Sequence, residues 1–397
     1  MLKNYLLIFF LLFFSDDTLL FGTNSNQDFI IFKYIIYIFV VSIYFFQHKS
    51  LAISKSLFRS LKVFIILLLI IFFSSLYNND FMTGNLLALL VLITAIIYSQ
   101  IFNFSVFREY YIRAIYFLSI SSLFIYIINI FLPSLLSFFP IIENYGEVSF
   151  RSILISNVFL LGNEFRNTGI FREPGVYSIY LNVAIIFILF ANSKISSQKL
   201  IVIVLTLFTT MSTAGILVFF LIILLYFFIR RSFKNFFIAI SIGFILISIF
   251  VYFPTLYENV FAKLNTNNKD YLSSLSRIAS FLVPIEIIKE SPIFGVGLTD
   301  FVKYYETLST RVVGYTMKAD STSTNTFLNL FAIFGIIYGG IIIKYYYHFC
   351  KLVLNKSAFL LLIIIFIMFS SQDLRYSLLF LTLLSYGIIA KYNKRTQ

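Results

Sequence analysis

Charge is scarce in this chain of 397 residues: Asp, Glu, Lys and Arg together make up 12%, against 60% apolar residues. That balance lies far outside the range of a soluble globular domain and fits a lipid bilayer as the main solvent. Tryptophan is absent, so the amphipathic belt at the membrane interfaces falls to tyrosines such as Tyr5, Tyr77, Tyr110, Tyr252 and Tyr345 to Tyr347. The single cysteine, Cys350, excludes any internal disulfide. Histidine occurs only at His48 and His348, and no His/Cys/Asp cluster has metal-ligand spacing, so neither a metal nor another cofactor is expected. Apolar runs tile the chain so densely that a soluble catalytic domain, a nucleotide-binding cassette or a Gly-rich phosphate loop has no room. The runs are continuous rather than alternating, which excludes a β-barrel.

What is present is a repeated helical signal. A hydrocarbon core of roughly 30 Å takes about 20 helical residues to cross. Apolar runs bounded by polar clusters predict twelve spans, near residues 5–22, 29–46, 61–77, 84–102, 112–132, 174–192, 198–211, 214–229, 235–252, 324–346, 357–371 and 374–390. The expected fold is thus an all-α polytopic membrane protein, one integral domain over residues 1–397. The N-terminus resembles a signal peptide, but Ser15-Asp16-Asp17-Thr18 is no small-residue cleavage site, and an uncleaved first helix is expected. With both termini cytoplasmic, the inner connections and tails carry 18 basic residues and one acidic residue, Glu109. The other 12 basic and 16 acidic residues fall outside. The net charge of +13 is then a membrane-topology signal and not a nucleic-acid footprint. Residues 198–229 admit a single long tilted helix as well. Merging them would put Lys194/Lys199 and Arg230/Arg231/Lys234 on opposite sides, so two spans are expected.

Two connections are long, polar and external: residues 133–173 and 253–323. Loops of that length in a compact chain are usually functional. The second contains an amphipathic stretch, with Leu275, Ile278, Leu282 and Ile285 on one face and Ser273, Arg277 and Ser280 on another, which predicts a helix lying along the membrane surface. Pro292 and the glycines of Ser291-Pro292-Ile293-Phe294-Gly295-Val296-Gly297 end it in a turn. The first loop ends at Arg166 to Gly175, directly before an apolar helix. Pro174 suits that helix's first turn, and Glu173 sits at its positive dipole end.

The segment Arg166-Asn167-Thr168-Gly169-Ile170-Phe171-Arg172-Glu173-Pro174-Gly175 resembles the R-x-x-G-[IL]-F-x-E-P motif of bacterial O-antigen and capsule repeat-unit polymerases, which are related to the O-antigen ligases. Ser276-Arg277 followed by Glu290 to Gly297 is similar to the family's second loop. Asn325-Thr326-Phe327-Leu328-Asn329, ahead of Phe334-Gly335-Ile336, is similar to its third motif. Ligases usually carry a His before that Asn, where this chain has Thr324, and often a Ser-Arg pair where this chain has Ser212-Thr213. Both departures favour a polymerase.

The resemblance implies a glycosyltransferase similar to the GT-C class, which moves a glycan from undecaprenyl diphosphate onto the terminal sugar of a lipid-linked repeat unit. Its implied partners are that undecaprenyl-diphosphate-linked oligosaccharide, membrane lipids and, as a further candidate, a chain-length regulator protein. The chemistry places its own demand, because the leaving diphosphate gains negative charge at the membrane surface. Guanidinium groups meet it by gripping phosphate oxygens bidentately. Arg166, Arg172 and Arg277 are the candidate grips. Glu173 is the first candidate for the general base, with Asp320 and Asp373 as fallbacks. Plainer roles stand beside these: Arg166 pairing with Glu164, Glu173 stabilising a helix start, Asn325 capping a helix instead of touching substrate, and Asp373 pairing with Arg375. A ligase and a lipid-linked oligosaccharide flippase remain alternative readings. Transporters normally place ionisable groups at mid-membrane depth, whereas here they gather in the outer loops.

Overall fold

A chain this apolar gains most by satisfying its backbone within each segment, and the α-helix does that without help from solvent. The computed structural model describes residues 2–22, 27–47, 55–80, 83–143, 149–153, 155–159, 166–190, 197–230 and 271–392. They form α1 (Leu2–Phe13), α2 (Gln27–Gln47), α3 (Lys55–Tyr77), α4 (Thr83–Ile101), α5 (Phe104–Phe131), α6 (Pro174–Phe190), α7 (Ser197–Thr209), α8 (Thr213–Arg230), α9 (Tyr271–Glu290), α10 (Gly297–Val313), α11 (Ala319–Thr322), α12 (Thr326–Val353), α13 (Ala358–Phe369) and α14 (Leu378–Tyr392). Three of these helices are long and apolar enough to cross a bilayer: α3 over Leu57–Tyr77, α5 and α12. Others, including α6, α7, α8, α13 and α14, are apolar but shorter. The expected span at 235–252 lies outside the described residues.

At the centre α12 and α14 pack together, flanked by α3, α4 and α13, while α6 packs against α5, α7 and α8. The burial of α6 and α14 is nearly complete around their circumference, as expected of helices enclosed by others. On the outside, Ile65, Leu69, Phe72 and Phe73 of α3 and Phe117, Phe124 and Ile127 of α5 are exposed, an apolar perimeter of the kind that lipid solvates. Where α6 meets α8 the contact is made by small residues. A Cβ on Gly215 would lie 2.3 Å from Ser178 Oγ, and Asn182 Nδ2 donates to the carbonyls of Ser178 and Gly215 at 2.9 Å each. Small residues and polar cross-links are how helices bind one another where hydrophobicity cannot discriminate.

Residues 198–229 form two helices. The turn between α7 and α8 places Met211 at φ 49°, a left-handed conformation that no continuing helix contains.

The structure is mostly helical, and between α5 and α6 it adds a small three-stranded antiparallel sheet of β1 (Ile141–Glu143), β2 (Ser149–Ser152) and β3 (Asn157–Phe159). Its middle strand pairs Phe150 with Ile142 on one side and Phe159 on the other. Phe150 and Ser152 are buried while Ser149 and Arg151 are partly open, the period-2 pattern of a half-covered strand. In α9 the buried side is Leu275, Ala279, Ser280, Val283 and Ile287, whereas Ile278 and Leu282 are exposed. The helix packs against α10 and α12 with the first set and leaves Ile278 and Leu282 facing outward, a placement that lipid does not penalise.

α12 is broken at Gly335, whose φ of 84° and ψ of 172° leave the helix. The turn after α9 fills the break. Val296 N donates to Ala332 O at 3.0 Å, and Ile336 N donates to Pro292 O at 2.8 Å. The backbones approach so closely that a Cβ on Gly335 would lie 1.9 Å from Ile293 O, and one on Gly295 (φ +66°) 2.3 Å from Ile333 O. Ser74 Oγ of α3 donates to Phe294 O at 2.6 Å and secures the crossing. The second-loop turn and Phe334-Gly335-Ile336 are therefore two halves of one interlocked backbone.

Candidate functional site

One end of the bundle collects the loops after α1, α3, α5, α7 and α13 with the α9–α10 region. Asp80, beyond α3, accepts from Leu298 N, from Thr299 N at 3.0 Å and from Thr299 Oγ1 at 2.7 Å, so a carboxylate from a distant loop caps the start of α10. Arg166 Nε and Nη2 donate to the carbonyls of Thr210 and Met211 at 3.3 and 3.5 Å, which ties the first loop to the α7–α8 turn.

Arg172 is held from three sides. Residues 17–19 run alongside residues 170–172: Leu19 N donates to Ile170 O at 3.1 Å, Arg172 N to Asp17 O at 3.0 Å, and Thr18 bridges Phe171. This pairing fixes the backbone. The guanidinium then reaches across to the α13–α14 loop, where Nη2 donates to Asp373 O at 2.8 Å. Beside it lies the buried carboxylate of Asp17, which accepts from Ser15 Oγ at 3.0 Å and from Tyr180 Oη of α6. Burial pushes the Asp17 carboxyl above the ordinary carboxylate range; the Arg172 charge and the hydrogen bonds of Ser377 and Tyr180 pull it back down. Arg172 Nε is buried without an acceptor among the described residues.

Glu173 is exposed next to Arg172, its carbonyl accepting from Tyr177 N at 3.2 Å at the start of α6. Pro174 occupies the first position of α6, where its missing N–H costs nothing. Glu173 lies within electrostatic reach of Arg277 on α9. Arg277 is exposed by area yet crowded by neighbouring atoms, and that crowding holds its guanidinium below the ordinary arginine value while the Glu173 charge opposes the shift. Adjacent residues of the first loop thus face the second loop. A further tie runs from Thr324 Oγ1 to Ser280 Oγ at 3.1 Å, so Thr324 anchors α9 one turn beyond Arg277.

The start of α12 supports this arrangement. Asn325 Oδ1 accepts from Leu328 N at 3.1 Å and caps the helix. Thr326 Oγ1 donates to Gln372 O at 2.6 Å and accepts from Leu374 N at 2.9 Å, latching the loop whose Asp373 carbonyl holds Arg172. The Asp373 carboxylate pairs with Arg375 Nε at 3.2 Å, and the Arg375 guanidinium lies 5.7 Å from the Phe301 ring centre and 5.4 Å from that of Tyr376. The backbone of Asp320 falls in α11, and its side chain, like Glu164, lies outside the described residues.

Arg172, Glu173, Arg277 and the Asp373 loop are therefore gathered at one end, while Arg166 is engaged by the α7–α8 turn. Sequence reasoning missed Asp17. It also missed the ion pair between Asp16 and the fully buried Lys33 of α2. The available signal was three consecutive polar residues, Ser15, Asp16 and Asp17, at the end of an apolar helix, together with a lysine inside the next. Buried charge of that kind persists only when paired. Arg172, Arg277 and Arg375 each have a carboxylate beside them, from Asp17, Glu173 and Asp373. Among the described residues no cluster of His, Cys, Asp and Glu is suited to a metal.

Residues 199–343 match the O-antigen ligase family model. The matched stretch runs from α7 into α12, so it contains Arg277, the 291–297 turn and the Gly335 break, and it begins after Arg172. No curated protein and no solved structure matches the chain. The O-antigen ligase match and the motif resemblance over residues 160–345 point to the same group of proteins.

Proposed function

We propose that the chain is a surface-polysaccharide polymerase of the bacterial inner membrane. It moves a growing glycan from undecaprenyl diphosphate onto the terminal sugar of a lipid-linked repeat unit at the extracytoplasmic face, with about twelve crossings and both termini in the cytoplasm. The observation that carries this reading is that Glu173, next to Arg172 in the first motif, lies within electrostatic reach of Arg277 of α9, over 100 residues away in sequence, at one end of a helical bundle.

In the proposed step the acceptor hydroxyl attacks the anomeric carbon as the bond from that carbon to the diphosphate oxygen breaks. The hydroxyl proton passes to a carboxylate, with Glu173 the first candidate and Asp320 and Asp373 behind it. The leaving diphosphate takes the electron pair, and Arg172 and Arg277 stabilise the charge it gains. Because each arginine rests beside a carboxylate, the diphosphate enters by displacing a weaker counter-ion, which spares the empty site an uncompensated positive patch. Asn325 and Arg166 stand at the edge of this scheme as glycan contacts, beyond their cap and turn bonds.

The family match to an O-antigen ligase keeps a second reading, transfer of the finished glycan to a lipid acceptor. Thr324, bonded to Ser280 where ligases usually carry His, supports the polymerase. A flippase would use the vacant backbone of a broken helix. Here Val296 N and Pro292 O occupy the break in α12, which supports an enzyme. The deciding experiment is deletion of the gene in its host and inspection of surface glycan length. A single repeat unit on the anchor is the expected outcome. Loss of all transferred glycan means a ligase, and repeat units trapped inside the cell mean a flippase.

A further inference from the structure

The first outer loop begins apolar. No charged residue lies between Arg113 and Glu143, although α5 ends at Phe131. Arg113, which donates to Tyr5 Oη at 2.6 Å and pairs with Glu109, has the charge and the tyrosine neighbour of a membrane interface. From there α5 climbs about 27 Å before it stops, close to the roughly 30 Å of a hydrocarbon core. The chain therefore leaves its helix near the edge of the lipid and stays free of charge through Ile142. In that stretch Phe131, Leu132, Leu135, Phe138, Phe139 and Ile141 are all exposed, and Phe138 is 89% exposed. A contiguous apolar patch of this kind marks a contact with a partner or with a membrane.

The backbone here is folded back on itself around a short 3-10 turn, Pro133–Leu136. Leu132 N donates to Ile128 O at 2.7 Å, Leu135 N to Leu132 O at 3.0 Å, Ser137 N to Ser134 O at 3.1 Å and Phe139 N to Leu136 O at 3.2 Å. Pro133 and Pro140 carry no N–H, and the Pro140 carbonyl accepts from Ser152 N at 3.1 Å. The Ser137 hydroxyl also turns inward, donating to Ser134 O at 2.7 Å. Local satisfaction of polar groups is what lipid demands of a polypeptide and water does not. Among residues 131–140 only Leu136 is buried. It packs with Ile125 of α5 and Val158 of β3 in a small core of its own, which fastens the segment to the sheet. β3 in turn holds the first motif, through the Val158–Asn167 bridge and the bond from Asn157 N to Gly169 O at 2.6 Å.

We infer that residues 131–141 form a wedge inserted among the acyl chains of the leaflet at this end of the bundle. Lipid is the occupant because the patch continues a face that lipid already covers. Phe117, Ile120, Phe124, Ile127 and Phe131 of α5 are exposed, and their spacing of three or four residues makes them one stripe along the helix. That stripe runs without a charged interruption into Leu132, Leu135 and Phe138. The wedge lies in the boundary between headgroups and acyl chains, the depth at which apolar faces of surface segments settle. Through Leu136 and β3 it keeps the first motif close to the bilayer. This insertion needs only a membrane, whatever reaction the chain performs.

The test uses the full chain in vesicles of phosphatidylethanolamine and phosphatidylglycerol. Phe138→Cys and, independently, Leu135→Cys are labelled with an environment-sensitive fluorophore; both side chains are exposed, so neither substitution opens the core. The native Cys350 is buried, and the unsubstituted chain measures its background labelling. Phe124→Cys on α5 is the lipid-facing reference, and Thr307→Cys on the exposed side of α10 is the water-facing one. Both wedge positions should be quenched several-fold more strongly by lipids spin-labelled near the headgroup than by iodide, with blue-shifted emission like that at Phe124→Cys. Iodide quenching as strong as at Thr307→Cys would overturn the insertion and leave a water-exposed loop. Protection from both quenchers would overturn it as well, because another stretch of the chain or a second copy would then cover the patch.

Discussion

Replacing Gly335 with Ala tests whether the interlocked backbones matter. The break at φ 84°, ψ 172° lies in a region essentially confined to glycine, where another residue costs on the order of 1–3 kcal/mol. The new Cβ would also sit 1.9 Å from Ile293 O, and backbone cannot swing aside as a side chain does. If α12 straightened instead, Ile336 N would return to Ala332 O, leaving Val296 N and Pro292 O without partners at about 1–3 kcal/mol each. Either route destabilises by roughly 2–5 kcal/mol. Gly340, five residues further along the same helix, has nothing within 4 Å of a built Cβ, so Gly340→Ala should gain about 0.5–1 kcal/mol. Denaturant titration of both variants in one detergent provides the assay. The damage should also reach the site, because the half-helix beginning at Thr326 latches the loop that holds Arg172. Equal stability of the two variants would refute the role assigned to the break.

Arg172→Ala and Arg277→Ala should give folded protein that does not elongate glycans, and Lys at either position should rescue poorly because it lacks the guanidinium fork; normal long chains from either Ala variant would remove the clamp. Asp80→Ala should cost about 1–2 kcal/mol through loss of the α10 cap, read as a lower melting temperature with Asn recovering part of it. Burial raises the Asp17 carboxyl above its ordinary 3.8, so over the interval from that value up to its native one the folded chain binds more protons than the unfolded chain. Its contribution to stability is therefore greatest at low pH and declines as pH rises through that interval. Asp17→Asn should flatten this slope in unfolding titrations above pH 3.8, and an unchanged slope would mean that the carboxyl is already ionised throughout. Elongation should persist in chelator, and its loss in chelator alone would show that a metal takes part.

Much of the fold was legible because its signals are local. Pro174 marks a helix start, Met211 to Gly215 a turn between helices, and Ser291 to Gly297 another turn. What the sequence could not convey is which distant segments meet. The 291–297 turn and Phe334-Gly335-Ile336 are separately recognisable, yet their interlock depends on backbone bonds across some 40 residues. Asp17 was legible only as a poor cleavage site, since its role depends on residues 17–19 lying against residues 170–172. The packing of α9 was not legible for a different reason: periodicity marks an apolar face but not what covers it, and here Ser280 packs inward against Thr324 while Ile278 and Leu282 turn out.

The pairing of residues 17–19 with the first motif also bears on how the protein is made. Asp17 and Tyr180, which share a hydrogen bond, are separated by 163 positions. During synthesis α1 is made long before its partners exist, and the carboxylate just beyond it must wait without Tyr180 until α6 arrives. Closure of this end is therefore a late event in biogenesis. An insertion delay between α1 and α6 would leave the most buried acid of the site exposed to the quality-control machinery of the cell.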